Sequence, residues 1–120
     1  EMGQYEEALN YFFKLDFIES NCVKAWRGIG WCSFISLKYE QAMKYYEKII
    51  EQKPLAIDYM NAGHVAWVMG DIQKAAVFYG KAITASGNRE RFLEMFHKDE
   101  ESLLKQGVRE EDIPLMLDLI

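Results

Sequence analysis

Proline and cysteine are scarce in this chain: two of each among 120 residues. Two prolines and eight glycines exclude a collagen-like or linker protein. Cys22 and Cys32 lie ten positions apart, outside any CxxC pattern, which excludes a disulfide scaffold and a four-cysteine zinc site. They read as two small apolar side chains packed in helices, compatible with a reducing compartment. Positive charge is also short, with 14 Lys and Arg against 19 Asp and Glu and a net charge of −5. The basic residues are scattered from Lys14 to Arg109 without a stripe, so phosphate backbones and anionic lipid are not expected partners. Long apolar runs are missing too. The longest stretch free of charge, Tyr59 to Gly70, is twelve residues, too short to cross a bilayer. No apolar segment follows a basic start, so no signal peptide is read and a cytoplasmic location is expected.

What the chain does have is a core. Half of it is apolar, enough for about one domain. It also has a period. Ala8, Ala42 and Ala75 are separated by 34 and then 33 residues. Each is followed four positions on by an aromatic, Phe12, Tyr46 or Tyr79, and preceded three positions earlier by Tyr5, Tyr39 or Ile72. Gly30 and Gly63 repeat at 33, each a turn after an aromatic, Trp26 or Tyr59. Self-similarity at this spacing marks a stack of helical hairpins.

The markers resemble the tetratricopeptide repeat, whose signature is W-x2-L-G-x2-Y, then A-x3-F, then P. The middle copy reads Trp26-x2-Ile29-Gly30-x2-Ser33, Ala42-x3-Tyr46, Pro54. The next reads Tyr59-x2-Ala62-Gly63-x2-Ala66, Ala75-x3-Tyr79, with Ala82 following and Gly87 in place of the closing proline. The first copy is a second half only: Gly3, Tyr5, Ala8-x3-Phe12, with Ser20 where proline would stand. Ser33 and Ala66 replace the signature aromatic and thin the packing. The resemblance implies an all-α, right-handed solenoid of antiparallel helical hairpins with about seven helices. It divides the chain into a half repeat, 1–22, repeats at 23–55 and 56–87, and a C-terminal helical capping extension, 88–120.

The physics agrees without the family. Residues 23–36, 39–52, 56–69 and 72–85 carry apolar side chains at i, i+3, i+4 and i+7, the spacing of an amphipathic helix. A glycine in a helix interior costs up to about 1 kcal/mol against alanine, so Gly30 and Gly63 imply close helix contacts, with Ala42 and Ala75 as the matching small residues. Pro54 turns the chain, and short turns at Leu37-Lys38 and Gly70-Asp71 make the flanking helices antiparallel neighbours.

After Gly87 the period fails. Phe92, Phe96 and Leu103 share a face, while His97 falls where the close-packing glycine should be. The polar run from His97 to Glu101 is expected to bend or break the helix. Gly107 reads as a helix C-terminal glycine with Val108 as its apolar follower, and Asp112 as the N-cap of a last helix with Pro114 in its first turn. Opening on a second helix and closing inside an apolar one is the pattern expected of a piece of a longer protein. The stripe Tyr5, Ala8, Phe12 and Leu15 lacks a preceding helix, so homo-oligomerisation through the N-terminal helix, or fraying of residues 1–10, is expected.

No chemistry of catalysis is read. Gly28-x-Gly30-x-x-Ser33 lies inside a helix with no strand before it, and Gly80-Lys81 lacks a phosphate loop's upstream glycine. His64 and His97 have no companion ligands at helical spacing. Glu100-Glu101 and Glu110-Glu111-Asp112 lack the alternating oxygens of a calcium loop. No nucleophile elbow is present. No enzyme, cofactor or metal is expected.

In folds of the resembled family the first helix of each repeat lines a concave face. Carried over, that face holds Lys24, Arg27, Trp31, Phe34 and Ile35, then Ile57, Met60, His64, Trp67 and Val68. Arg27, Trp31, Phe34, Met60, Asn61, His64 and Trp67 are the candidate groove for a protein or peptide partner. Arg27, Asn61 and Arg91 suit a carboxylate clamp of the kind some members carry, but Trp31 and Met95 break it. The same rings would equally serve as core, or lie under the C-terminal helix, in a structural or oligomerising segment whose groove is filled by its own chain or a second copy.

Overall fold

A computed structural model describes residues 2–120; Glu1, at the start of the segment expected to fray, lies outside the described residues. All regular structure among the described residues is helical, in eight helices. The chain divides into two compact units, Glu1–Lys53 and Pro54–Ile120.

The first unit holds α1 (Met2–Ile18), α2 (Val23–Ile35) and α3 (Tyr39–Ile50). α2 packs against α1 on one side and α3 on the other, and glycines set both approaches. Phe12 of α1 occupies the space where Gly28 would carry a Cβ. On the other face a Cβ on Gly30 would come within 2.9 Å of the Tyr46 ring. The sequence pairs Gly30 with Ala42; in the structure the ring one turn beyond Ala42 fills the gap. The α1 stripe of Tyr5, Ala8, Phe12 and Leu15 is half-buried, while Phe17 and Ile18 at its end are exposed. Trp26 is buried, donates its indole N–H to Asp16 Oδ1 at 2.8 Å, and lies 4.6 Å beneath Lys48 Nζ.

The turn from α2 to α3 closes without glycine. Leu37 sits at φ 67°, Lys38 N–H bonds to Ser33 O at 2.8 Å and Leu37 N–H to Phe34 O at 3.1 Å. This paired closure satisfies the last helical carbonyls and needs a left-handed residue. Gly70 and Gly107 take the same role in the second unit, with Asp71 N–H on Ala66 O and Val108 N–H on Leu103 O. Cys22 is a correction: it stands at the N-cap of α2 rather than within a helix, while Cys32 is buried in α2, and both are free thiols.

The second unit holds α4 (Ala56–Val68), α5 (Ile72–Ser86), α6 (Arg89–Lys98), α7 (Glu100–Lys105) and α8 (Asp112–Leu119). Asp71 caps α5 through the Lys74 N–H and Asn88 caps α6 through the Arg91 N–H, each satisfying an otherwise orphaned donor. α4 and α5 pair as a hairpin, with Gly63 facing Tyr79. The expected interruption falls at Asp99, which ends α6 and opens α7. Among the described residues the helices therefore number eight, where about seven are expected. Phe96, not His97, sits against Tyr79, their ring centroids 5.6 Å apart; His97 is exposed and pairs with Glu100. The N-cap of α8 is Glu111, and Asp112 is its first helical residue, bound to Arg109 through Nε at 3.0 Å and Nη2 at 3.2 Å.

Candidate protein-interaction surface

In the first unit, α2 carries Arg27, Trp31 and Phe34. Helical spacing puts them on one side, one turn apart. Arg27 and Trp31 are half-buried, while Phe34 is fully buried. Phe34 backs Trp31 at 5.5 Å between centroids and meets Tyr39 of α3 at 5.9 Å. The indole thus rests on a rigid floor and keeps part of its surface open.

In the second unit the expected groove residues fare differently. Met60, His64 and Trp67 are buried, and Asn61 is half-buried with its Oδ1 enclosed and unpartnered. The expectation that these rings line an open concavity is corrected on this point. The physical reason is α6: Phe96 stacks on Trp67 at 6.5 Å with 24° between planes, and lies 5.6 Å from the His64 ring. Burial of those rings is what holds the C-terminal segment down.

His64 is the polar centre of this contact. Its Nδ1 lies 2.6 Å from the Tyr79 hydroxyl and its Nε2 3.0 Å from Asp99 Oδ2. Burial holds the imidazole below its usual pKa, against the opposing pull of the Asp99 hydrogen bond and charge. Burial, with Asp99 nearby, pushes the Tyr79 phenol well up. The neutral ring therefore donates Nε2–H to Asp99 and accepts the Tyr79 proton at Nδ1. Aspartate, histidine and hydroxyl match a proton relay in composition, yet His64 and Tyr79 are wholly enclosed, so no substrate reaches them. The set ties α4 to α5 and to the α6–α7 break. The helical pattern places His64 but not Asp99, which lies 35 residues away.

A surface absent from the candidate groove lies beside Trp67. A cleft of about 250 Å³ is lined by Trp67, Ile72, Asp112, Leu115, Met116 and Leu119. α8 presents it because Ile113 and Met116 turn inward while Leu115 and Leu119, four apart, remain 62% exposed. The sequence shows α8 as apolar nearly all round, so its two faces could not be told apart. Among the described residues, no group of three His, Cys, Asp or Glu could hold a metal ion, and no helix is long and apolar enough to cross a membrane.

Helical hairpins closed by paired backbone bonds, with glycines admitting aromatic rings from the next helix, define an all-α helical-repeat protein. The tetratricopeptide repeat family model matches residues 24–54 and 59–89, together more than half of the chain, and the chain belongs to that family. Both matched segments cover a glycine-bearing helix and its alanine-bearing partner, α2 with α3 and α4 with α5. Repeats of this family generally mediate protein–protein interaction. No curated protein matches the chain.

Proposed function

We propose that this chain is a protein-interaction module that takes a peptide or helical segment of a partner on the α2 face around Trp31. The observation that carries the reading is Trp31, a half-buried indole backed by the buried Phe34 and accompanied by Arg27 on α2. Tryptophan and arginine dominate binding energetics because they bury large, stiff surfaces at small entropic cost. In α4, Met60, His64 and Trp67 are buried in the rigid backing of their unit, and Asn61 is half-buried beside them.

The two roles separate by mutation. Peptides selected from a display library against the whole chain should lose about 2 kcal/mol or more of binding on Trp31→Ala, with helical content unchanged. Trp67→Ala should instead destabilise the fold by about 3–5 kcal/mol, as loss of a buried ring does. Selected peptides indifferent to Trp31→Ala and Arg27→Ala would overturn the assignment of this face.

A further inference from the structure

The cleft beside α8 has three properties that together specify an occupant. Its walls are apolar and preorganised. Trp67 is pinned by Phe96, α8 is anchored by Ile113 and Met116, and the Leu117 carbonyl accepts from Arg89 Nη2 at 2.6 Å. The second property is size. About 250 Å³ exceeds the ~150 Å³ that accommodates a benzene ring, so a leucine or phenylalanine side chain fits. The third is charge. Between Arg109 and Asp118 the chain carries Glu110, Glu111, Asp112 and Asp118 against one cation, Arg109, and Arg89 adds a second at the Leu117 carbonyl. Arg109 is held by Asp112, and Glu111 adds to the field on it, so carboxylates still outnumber cations around the cleft. Glu110, Glu111 and Asp118 are exposed, and Asp71 adds a carboxylate one residue before Ile72 of the cleft wall.

We infer that this cleft docks a basic amphipathic segment of another protein, inserting one or two large apolar side chains against Trp67, Leu115 and Leu119 while flanking Lys or Arg side chains meet the acidic rim. Charge selects this occupant over the others available. A second copy of the chain carries −5 overall, and its most exposed apolar pair, Phe17 and Ile18, is bracketed by Asp16 and Glu19. Those side chains would bring like charges to the rim. An anionic lipid surface is repelled for the same reason. The inference rests on the cleft's own residues, and the α2 face is not part of it.

The test pans a random peptide library against the whole chain at low salt, then repeats the selection against Leu115→Lys/Leu119→Lys. Both leucines are largely exposed, so the variant is checked for unchanged circular dichroism and then used as the counter-target. The expected result is enrichment of peptides with apolar anchors flanked by Lys or Arg. They should bind at least about tenfold more weakly to the variant, and more weakly again as salt screens the rim. Methyl resonances of Ile72, Leu115 and Leu119 should shift on adding the best peptide. A second variant, Glu110→Lys/Glu111→Lys/Asp118→Lys, should turn the preference toward acidic flanks with the anchors retained. Neutral or acidic selected peptides, or equal binding to the leucine variant, would overturn the inference. Peptides lost only on Trp31→Ala would overturn it while leaving the interaction reading intact. No enrichment above a scrambled control would count against both.

Discussion

Gly63 stands in the middle of α4, facing the ring of Tyr79. An added Cβ would lie 2.6 Å from Tyr79 Cε1, 2.7 Å from Cδ1 and 3.1 Å from Cζ. Carbon atoms rest at about 3.5–4.0 Å, so the ring must retreat by roughly 1 Å. It has nowhere to go. Tyr79 is fully buried, its hydroxyl is 2.6 Å from His64 Nδ1, and its ring meets Phe92 at 5.7 Å and Phe96 at 5.6 Å between centroids. Overpacking of this kind costs about 1–3 kcal/mol, and breaking the hydroxyl bond leaves a buried donor unmet at about 1–3 kcal/mol more. Alanine returns up to about 1 kcal/mol of helix propensity. Gly63→Ala should therefore lose about 1–5 kcal/mol net, a fall of roughly 4 °C in Tm for each kcal/mol at this chain length. Gly80 is the control. It lies in α5 with nothing within 4 Å of its would-be Cβ, so Gly80→Ala should gain about 0.5–1 kcal/mol. Thermal and denaturant melts of the two variants decide the matter. Gly63→Ala melting at or above the parent would refute the close-contact argument.

The His64 tie predicts acid sensitivity. Because burial lowers the folded-state pKa, the stability contributed by the neutral ring is full above the unfolded value of about 6.5 and is lost as pH falls below it. Denaturant melts between about pH 7.5 and 5.5 should show this loss, and His64→Gln should flatten it; an unchanged slope in the variant refutes the assignment. Asp99→Ala should cost about 1–3 kcal/mol by leaving the His64 Nε2–H unmet, with hydrogen exchange rising in α6 and α7; exchange unaltered there would show that the tie does not hold the segment. Leu37→Gly should raise Tm slightly. It removes left-handed strain at φ 67°, worth about 1–2 kcal/mol, against up to about 1 kcal/mol of added backbone freedom. A fall in Tm would show that the leucine side chain is held after all.

Most of the repeat architecture was legible in the residues. The boundaries read at 23–36, 39–52, 56–69 and 72–85 fall within two residues of α2, α3, α4 and α5, because each helix advertises itself through local 3.6-residue spacing. The closures at Gly70 and Gly107 were readable because a left-handed residue at a helix end favours glycine. What meets each glycine is not legible: the rings of Tyr46 and Tyr79, one turn beyond the buried Ala42 and Ala75, face Gly30 and Gly63, and Phe12 faces Gly28. A missing Cβ signals that something comes close, but not what.

The sequence by itself determined the helices, their hairpin pairing and the small residues at their contacts, since all of these depend on neighbours within about one repeat. Only the tertiary structure decided which apolar side chains are surface. Met60, His64 and Trp67 read as groove residues on helical phase alone, yet all three are buried, α6 covers His64 and Trp67 through Phe96, and Asp99 reaches His64 across 35 residues. Likewise α8 became two-faced only when Ile113 and Met116 found the core and left Leu115 and Leu119 outside. Periodicity records which way a side chain points from its own helix. Whether it meets water or a ring is settled by a segment distant in the chain, and no local pattern encodes where that segment lies.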